Sequence, residues 1–301
     1  MNFLKKSAAN GRVAHAYLFA GSAHLVKKTV ALEFIKYLTG YKVGKRITPD
    51  VLIIEPEIIV KDGVSKELEI GIGEARKIQH QMSLRPYTLP YKIALIDKAE
   101  RMTADAGNCL LKTLEEPSGK AMMILITSSL KAILPTIISR CQLVNFLPVA
   151  KKEIAQGLKS AGNGSLDTEQ IIRLANGRPG LALEYLKNPE LFQEEKKIIG
   201  RLEKILVSDL NERYRAAEEM SKNVLAARRI INHWLFWFRD LILLNNNCSN
   251  LITYPETAKY QKSYSSSRVK EIIRAIKKAD WLLSNPSLNA RLILEVLMLE
   301  I

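Results

Sequence analysis

One stretch near the amino terminus has almost the residues needed to hold a chain of phosphates: Gly21-Ser22-Ala23-His24-Leu25-Val26-Lys27-Lys28-Thr29. A working phosphate loop reads G-x-x-x-x-G-K-[ST]. Its second glycine lets main-chain N–H groups curl around the anion, its lysine reaches the outer phosphates, and its hydroxyl binds magnesium. Aligned on Gly21, the lysine is present as Lys27, but Val26 stands at the second glycine and Lys28 at the hydroxyl. A β-branched side chain resists positive φ, so Val26 predicts that the cradle does not form. A cation at position 28 removes a metal ligand and repels magnesium. Taking Lys28-Thr29 as the Lys-Thr pair instead loses both glycines. On local grounds alone, the segment could also be a turn that never held phosphate.

A second signature points the same way. The apolar run Lys92–Ile96 leads into Asp97, placed as a magnesium-coordinating aspartate would be. In hydrolysing P-loop proteins of this kind a glutamate follows directly to polarise water. Here Lys98 follows, and the next carboxylate is Glu100, one helical turn away. Loss of the second glycine, the hydroxyl and the water-activating acid argues against hydrolysis.

The elements that must position these residues alternate through the first half of the chain. Short apolar runs at Tyr17–Ala20, Val51–Ile54, Lys92–Ile96 and Met122–Ile126 read as strands, with Val51–Ile54 expected to be covered on both faces. Helical stretches fall at Val26–Leu38, Glu74–Met82 and Thr103–Glu116, the last opening on an N-cap threonine and stopping before Pro117. This rhythm predicts a parallel sheet with helical crossovers. After Pro148 only helices are expected: three short ones at 151–158, 168–175 and 181–186, then longer ones at 191–206, 210–220, 224–244, 267–283 and 288–299. Loops with glycine at Gly162–Gly164 and Asn176-Gly177 separate the short ones. The predicted domains are an α/β domain over 1–148, a small helical lid over 149–188 and a helical oligomerisation domain over 189–301.

Bulk properties narrow the class. The 301 residues are 47% hydrophobic and 25% charged, ordinary for a globular chain, and the net charge is +14. That excess is spread, +8 over 1–148 (21 Lys and Arg against 13 Asp and Glu) and +6 over 149–301 (24 against 18), which favours polyanionic partners as well as plain solubility. Cys109, Cys141 and Cys248 lie far apart, so no disulfide framework or zinc ribbon is supported, and a reducing, cytoplasmic setting is expected. The most hydrophobic segment, Ile230–Leu244, is broken by Asn232, His233, Arg239 and Asp240, which disqualifies it as a membrane span. None of His15, His24, His80 and His233 has a carboxylate or cysteine at ligand or triad spacing. Trp234–Phe238 reads as helix core or a subunit face, with stacking on DNA a lesser option. Lys270, Arg274, Lys277 and Lys278 read as a solvated face.

Three further segments carry a resemblance. His15–Gly21 (HAYLFAG), Met102–Pro117 (MTADAGNCLLKTLEEP) and Ala132–Cys141 (AILPTIISRC) resemble the delta-prime family of bacterial DNA polymerase III clamp-loader subunits, within the AAA+ class. Asn285–Glu295 is similar to that family's collar helix. The resemblance implies an AAA+ domain, a lid and a helical collar. It also implies that Arg140, between Ser139 and Cys141, acts in trans as an arginine finger on a neighbouring subunit's ATP site; without the flanking motif it would read as an ordinary surface arginine. It further implies partners: gamma- and tau-type ATPase subunits, a delta subunit, the sliding clamp, and primed DNA through the assembly. Gly21, Lys27, Lys28, Thr29, Asp97 and Thr127 are then a degenerate nucleotide site, Thr127 matching a sensor threonine or serving only as a strand end. The lid's sensor arginine would fall on Gly180, with Arg178 displaced from it. The stretch Thr39–Pro49 lacks the cysteines of a zinc module found in many relatives, so no metal and no cofactor are expected. The expected function is a non-catalytic component of the DNA polymerase III holoenzyme that helps load the clamp. The alternatives are an active AAA+ ATPase with an unusual phosphate loop and the delta-type subunit that opens the clamp.

Overall fold

A computed structural model describes residues 2–41, 48–61, 64–117, 119–160, 168–285 and 288–301. Three expectations therefore lie wholly or partly outside the described residues: the metal-free stretch Thr39–Pro49, the loop at 162–164, and residues 286–287 of the collar-like motif. The chain divides into two compact units, Met1–Val149 with Arg178–Gly180, and Ala150–Gly177 with Leu181–Ile301.

The first unit is built on five parallel strands. In chain order these are β1 (Ala16–Ala20), β2 (Val51–Ile54), β5 (Lys92–Ile96), β6 (Ala121–Thr127) and β7 (Gln142–Asn145), and they lie in the order β2-β5-β6-β1-β7. Between β2 and β5 along the chain comes a separate antiparallel pair, β3 (Ile58–Lys61) with β4 (Val64–Glu67). Because strand side chains alternate between faces, β1 sends Ala16 and Leu18 to one side and Tyr17 and Phe19 to the other. The first side packs on α3 (Ile72–Ser83) and α4 (Ala104–Glu115) through Ile78, Met82, Leu110 and Leu114. The second packs on α1 (Asn2–Ala9) and α2 (Lys27–Thr39) through Leu4, Phe34 and Ile35. Thr103 caps α4 as its sequence suggests, its hydroxyl accepting from the Ala106 N–H at 3.2 Å.

Two strand expectations need correction. Val51–Ile54 is half-buried along its whole length, because β2 is an edge strand bonded only to β5. The opposite edge, β7, was not foreseen: Gln142–Asn145 is mostly exposed, so its composition carries no buried-strand signal.

Asp50 fixes the approach to the central strands. Its carboxylate, fully buried, accepts the main-chain N–H groups of Tyr87, Thr88 and Leu89 at 2.8, 2.7 and 2.9 Å and the Thr88 hydroxyl at 3.1 Å. The Lys92 ammonium, also buried, lies 3.4 Å away. Burial alone would push this carboxyl up, but the four donors outweigh it and hold it well below the ordinary range.

The second unit is helical: α6 (Lys151–Ser160), α7 (Thr168–Ala175) and α8 (Pro179–Lys187, whose first turn belongs to the first unit), then α9 (Pro189–Val207), α10 (Leu210–Ser221), α11 (Val224–Asn245), α12 (Ser266–Leu283) and α13 (Ala290–Glu300). Trp234, Trp237 and Phe238 are fully buried, with Trp237 edge-on to Phe238 and Tyr260, so the aromatic cluster is core. The fold also gives His233 the partners its sequence neighbourhood lacks. Glu195 of α9 meets one ring nitrogen and the Tyr254 hydroxyl the other, at 2.5 Å. Among the described residues no helix is long and apolar enough to cross a membrane.

Candidate nucleotide cleft and the Arg140 surface

The turn after β1 does what its sequence speaks against. Val26 sits at φ 53°, ψ 28°, in the left-handed region, and His24 also has positive φ. A β-branched residue thus adopts the positive φ that its side chain resists. The first turn of α2 holds the backbone there, the Val26 carbonyl accepting the Val30 N–H at 3.0 Å, and the strain is tolerated. Gly21 itself cannot be replaced, since at φ 150° an added Cβ would lie 2.4 Å from the Phe146 carbonyl oxygen. Relieving the strain at position 26 is worth about 1–2 kcal/mol, less about 0.5–1 kcal/mol for the freer unfolded glycine. Val26→Gly is thus expected to raise the urea midpoint of unfolding slightly; a lowered midpoint would contradict the strain.

The turn borders a cleft of about 480 Å³, lined from the opposite side by Asp97, Lys98, Glu100 and Thr127. Its cations are already engaged. The Lys27 ammonium, nearly buried, folds back onto the loop and donates to the Gly21 and Ser22 carbonyls at 2.5 and 2.7 Å. Burial lowers its pKa, while the nearby Glu100 and Asp97 act against that. Lys28 reaches across to the ends of β2 and β5, with its ammonium 2.7 Å from Glu55 and 3.6 Å from Asp97. An ammonium therefore lies on the carboxylate that a magnesium ion would need. Thr29 is exposed.

The catalytic side of the cleft is likewise committed elsewhere. Lys98, where a water-polarising glutamate would stand, pairs with Glu67 of β4, and Arg101 also reaches that residue. Glu100 is turned to Ser128, which donates its N–H at 3.2 Å and its hydroxyl. Burial raises the Glu100 pKa, but these donors prevail and it lies below its ordinary value. The buried Thr127 hydroxyl donates to the Ser129 carbonyl and accepts the Ser129 N–H, at 3.1 and 3.0 Å. At the start of α8, Gly180 donates its N–H to the His24 carbonyl at 2.8 Å, and an added Cβ would lie 2.7 Å from that oxygen. The close approach leaves no room for an arginine at position 180. The roles of Glu55 and Glu67 went unread in the sequence, because no motif links either residue to its lysine.

Arg140 is not among the residues lining the cleft. It follows the short helix α5 (Pro135–Ile138), and its side chain is about one-third exposed, at 34%. Its Nε donates to Glu115 Oε1 at 2.8 Å and Nη2 meets the same oxygen, while Nη1 donates to the Thr136 carbonyl at 2.9 Å and the Ser139 hydroxyl at 3.2 Å. The guanidinium is thereby held in one orientation at the surface by a residue of the LKTLEEP segment. Glu115 stands inside that motif, yet only the fold reveals its partner. Ser139 is exposed and donates to the Thr136 carbonyl at 3.0 Å. Burial pushes the Cys141 thiol up to about 12, so it stays protonated and is unsuited to nucleophilic chemistry.

The family model described as DNA polymerase III, delta subunit, matches residues 1–150. Over 213 residues the sequence is 31% identical to the DNA polymerase III subunit delta' of Bacillus subtilis, covering 66% of this chain and 62% of that protein. The chain belongs to the delta-prime-like clamp-loader family. The Haemophilus influenzae delta' subunit of the same family is 38% identical over 133 residues, covering 43% of this chain and 39% of its own. The tau subunit of Bacillus subtilis is 28% identical over 80% of this chain and 47% of its own length. The aligned region thus spans less than two thirds of each of these relatives. A DNA polymerase III gamma subunit-related protein of Thermotoga maritima shares the fold at a TM-score of 0.52 and 22% identity, over 98% of this chain and 97% of that one. The AAA+ architecture expected of the family, a parallel α/β domain followed by helices, is the one observed.

Proposed function

We propose that this family member is a clamp-loader subunit with no ATPase activity of its own, which helps place a sliding clamp on primed DNA and lends Arg140 to a neighbour's ATP site. The observation that carries the reading is the Lys28 ammonium seated against Glu55 and Asp97, where a nucleotide's magnesium would bind. Phosphoryl transfer needs that metal to neutralise charge on the β- and γ-phosphates. A fixed ammonium holds the acidic residue without offering coordination sites, so the cleft is self-neutralised. The Arg140 guanidinium, by contrast, is planar, oriented and partly exposed, and it suits the equatorial oxygens of a γ-phosphate.

In this reading residues 1–148 form the AAA+ domain, 149–188 the lid and 189–301 the collar that joins the ring. The neighbours are gamma- or tau-type ATPase subunits and a delta subunit. The positive charge holds template backbone through contacts that ignore sequence. Reconstitution tests it: the chain should co-purify with those subunits, and omitting it should lower DNA-stimulated ATP turnover. Arg140→Ala should lower that turnover several-fold with the complex still assembled. An unchanged rate removes the finger from the proposal.

One observation favours the alternative of an active ATPase. The backbone around Val26 retains the left-handed turn a phosphate cradle uses. Titration of the isolated chain with magnesium and ATP separates the two, since tight binding and turnover lost on Lys27→Ala would favour the enzyme.

A further inference from the structure

Helix α12 of the second unit carries a charged face that neither the cleft nor Arg140 involves. Lys270, Arg274, Lys277, Lys278 and Trp281 recur along it at three- and four-residue spacing. At 3.6 residues per turn they fall within about 100° of one another around the helix axis. All five are exposed, whereas Val269, Ile272, Ile276, Ala279 and Leu283 on the opposite side are buried.

The cations are uncommitted. The side chains of Lys270, Arg274, Lys277 and Lys278 make no ion pair or hydrogen bond among the described residues. The two carboxylates of the helix are both taken, Glu271 by Arg268 at 3.3 Å and Asp280 by Arg228 at 2.7 Å. Like charges at this spacing repel one another, and a polyanion relieves that repulsion. Trp281 ends the row and is 72% exposed, where a tryptophan ordinarily buries most of its ring. Read from the sequence as a solvated face, the four cations run in line toward an open indole.

We propose that this face binds an unpaired nucleic-acid strand, with phosphates along the cations and one base stacked on Trp281. From Lys270 to Trp281 the helix rises about 16 Å, the axial length of about five stacked nucleotides. Any base has a π-face for an aromatic ring, but only an unpaired base leaves it free. A lipid surface fits less well, because the apolar side of α12 is already spent on the core. A protein partner fits less well too, since the centres of protein interfaces are depleted in lysine, and here the one large apolar ring ends a row of cations. The proposal gives the backbone contacts of the clamp-loader reading a place, and it rests on that reading only for calling the strand template DNA.

Titration of the full chain with oligothymidylate tests it. Of the three tryptophans, Trp234 and Trp237 are fully buried, so quenching of the indole emission reads Trp281. Saturable quenching is expected with the single strand, and weaker binding without quenching with a duplex. Trp281→Ala should weaken anisotropy-detected binding about tenfold and leave its salt dependence unchanged, with Trp281→Phe restoring most of the affinity. Lys277→Ala with Lys278→Ala should instead flatten the slope of log affinity against log salt by about 1.4, at about 0.7 per phosphate contact. Absence of binding, full affinity in Trp281→Ala, or polyglutamate or anionic vesicles bound as tightly as oligothymidylate would each overturn the proposal. None of these outcomes bears on Arg140, whose role is read from ATP turnover.

Discussion

The double variant Val26→Gly with Lys28→Thr is expected to bind magnesium–ADP more tightly than the native chain does. The turn already has the required handedness at His24 and Val26, and Gly21 is in place. Lys27 is present as well, released from the Gly21 and Ser22 carbonyls as soon as phosphate competes for it. Against a bound nucleotide stand one ammonium on Asp97 and Glu55 and one branched side chain at a positive-φ position of the loop. Threonine at 28 supplies the metal-binding hydroxyl and frees both carboxylates, and glycine at 26 lets main-chain N–H groups approach phosphate. Two charge-assisted contacts recovered at about 1.5 kcal/mol each correspond to about a hundredfold in affinity. Isothermal titration with and without magnesium reads this directly. No turnover is expected from the variant, because Lys98 still stands where a water-polarising acid would and Gly180 still excludes an arginine. Binding no tighter than that of the native chain would mean that the turn, not Lys28, closes the site.

Asp50→Asn is expected to give the largest loss of stability, about 3–5 kcal/mol, the range for breaking a buried charge pair by removing one member. The amide keeps one acceptor oxygen but turns an N–H₂ group toward the donors of residues 87–89, and it leaves the buried Lys92 unpaired. The sign of the pH effect follows from the depressed carboxyl. Its contribution is complete above the unfolded-state value, near 3.8, and is lost as pH falls from there toward the lower folded-state value. Urea unfolding of the native chain should therefore weaken on acidification below about pH 4, and Asp50→Asn should flatten that limb. A variant as stable as the native chain, with the acid limb unaltered, would show that Asp50 holds nothing.

The parts of the fold set by local chemistry could be read from the residues. Lys92–Ile96 forms a strand with the expected bounds, because a short apolar run between polar flanks admits little else in a buried sheet. Thr103 caps its helix because the cap needs only its own hydroxyl and the Ala106 N–H. What could not be read depends on residues distant in sequence. Gln142–Asn145 is a strand only because β1 offers it an edge. Glu195 meets His233 across two helices, and Glu115 meets Arg140 across 25 residues. At Val26 the residue type shows the backbone preference, but the left-handed conformation is visible only in the fold, because flanking structure overrides one residue's preference.

The sharpest measurement is ATP turnover by an assembly reconstituted with the native chain, with Lys27→Ala, or with Arg140→Ala. If the chain's own cleft is closed and its guanidinium serves a neighbour, Lys27→Ala leaves turnover unchanged and Arg140→Ala lowers it several-fold, both complexes eluting intact. The reverse pattern, turnover lost with Lys27→Ala and kept with Arg140→Ala, would show that this chain hydrolyses its own nucleotide.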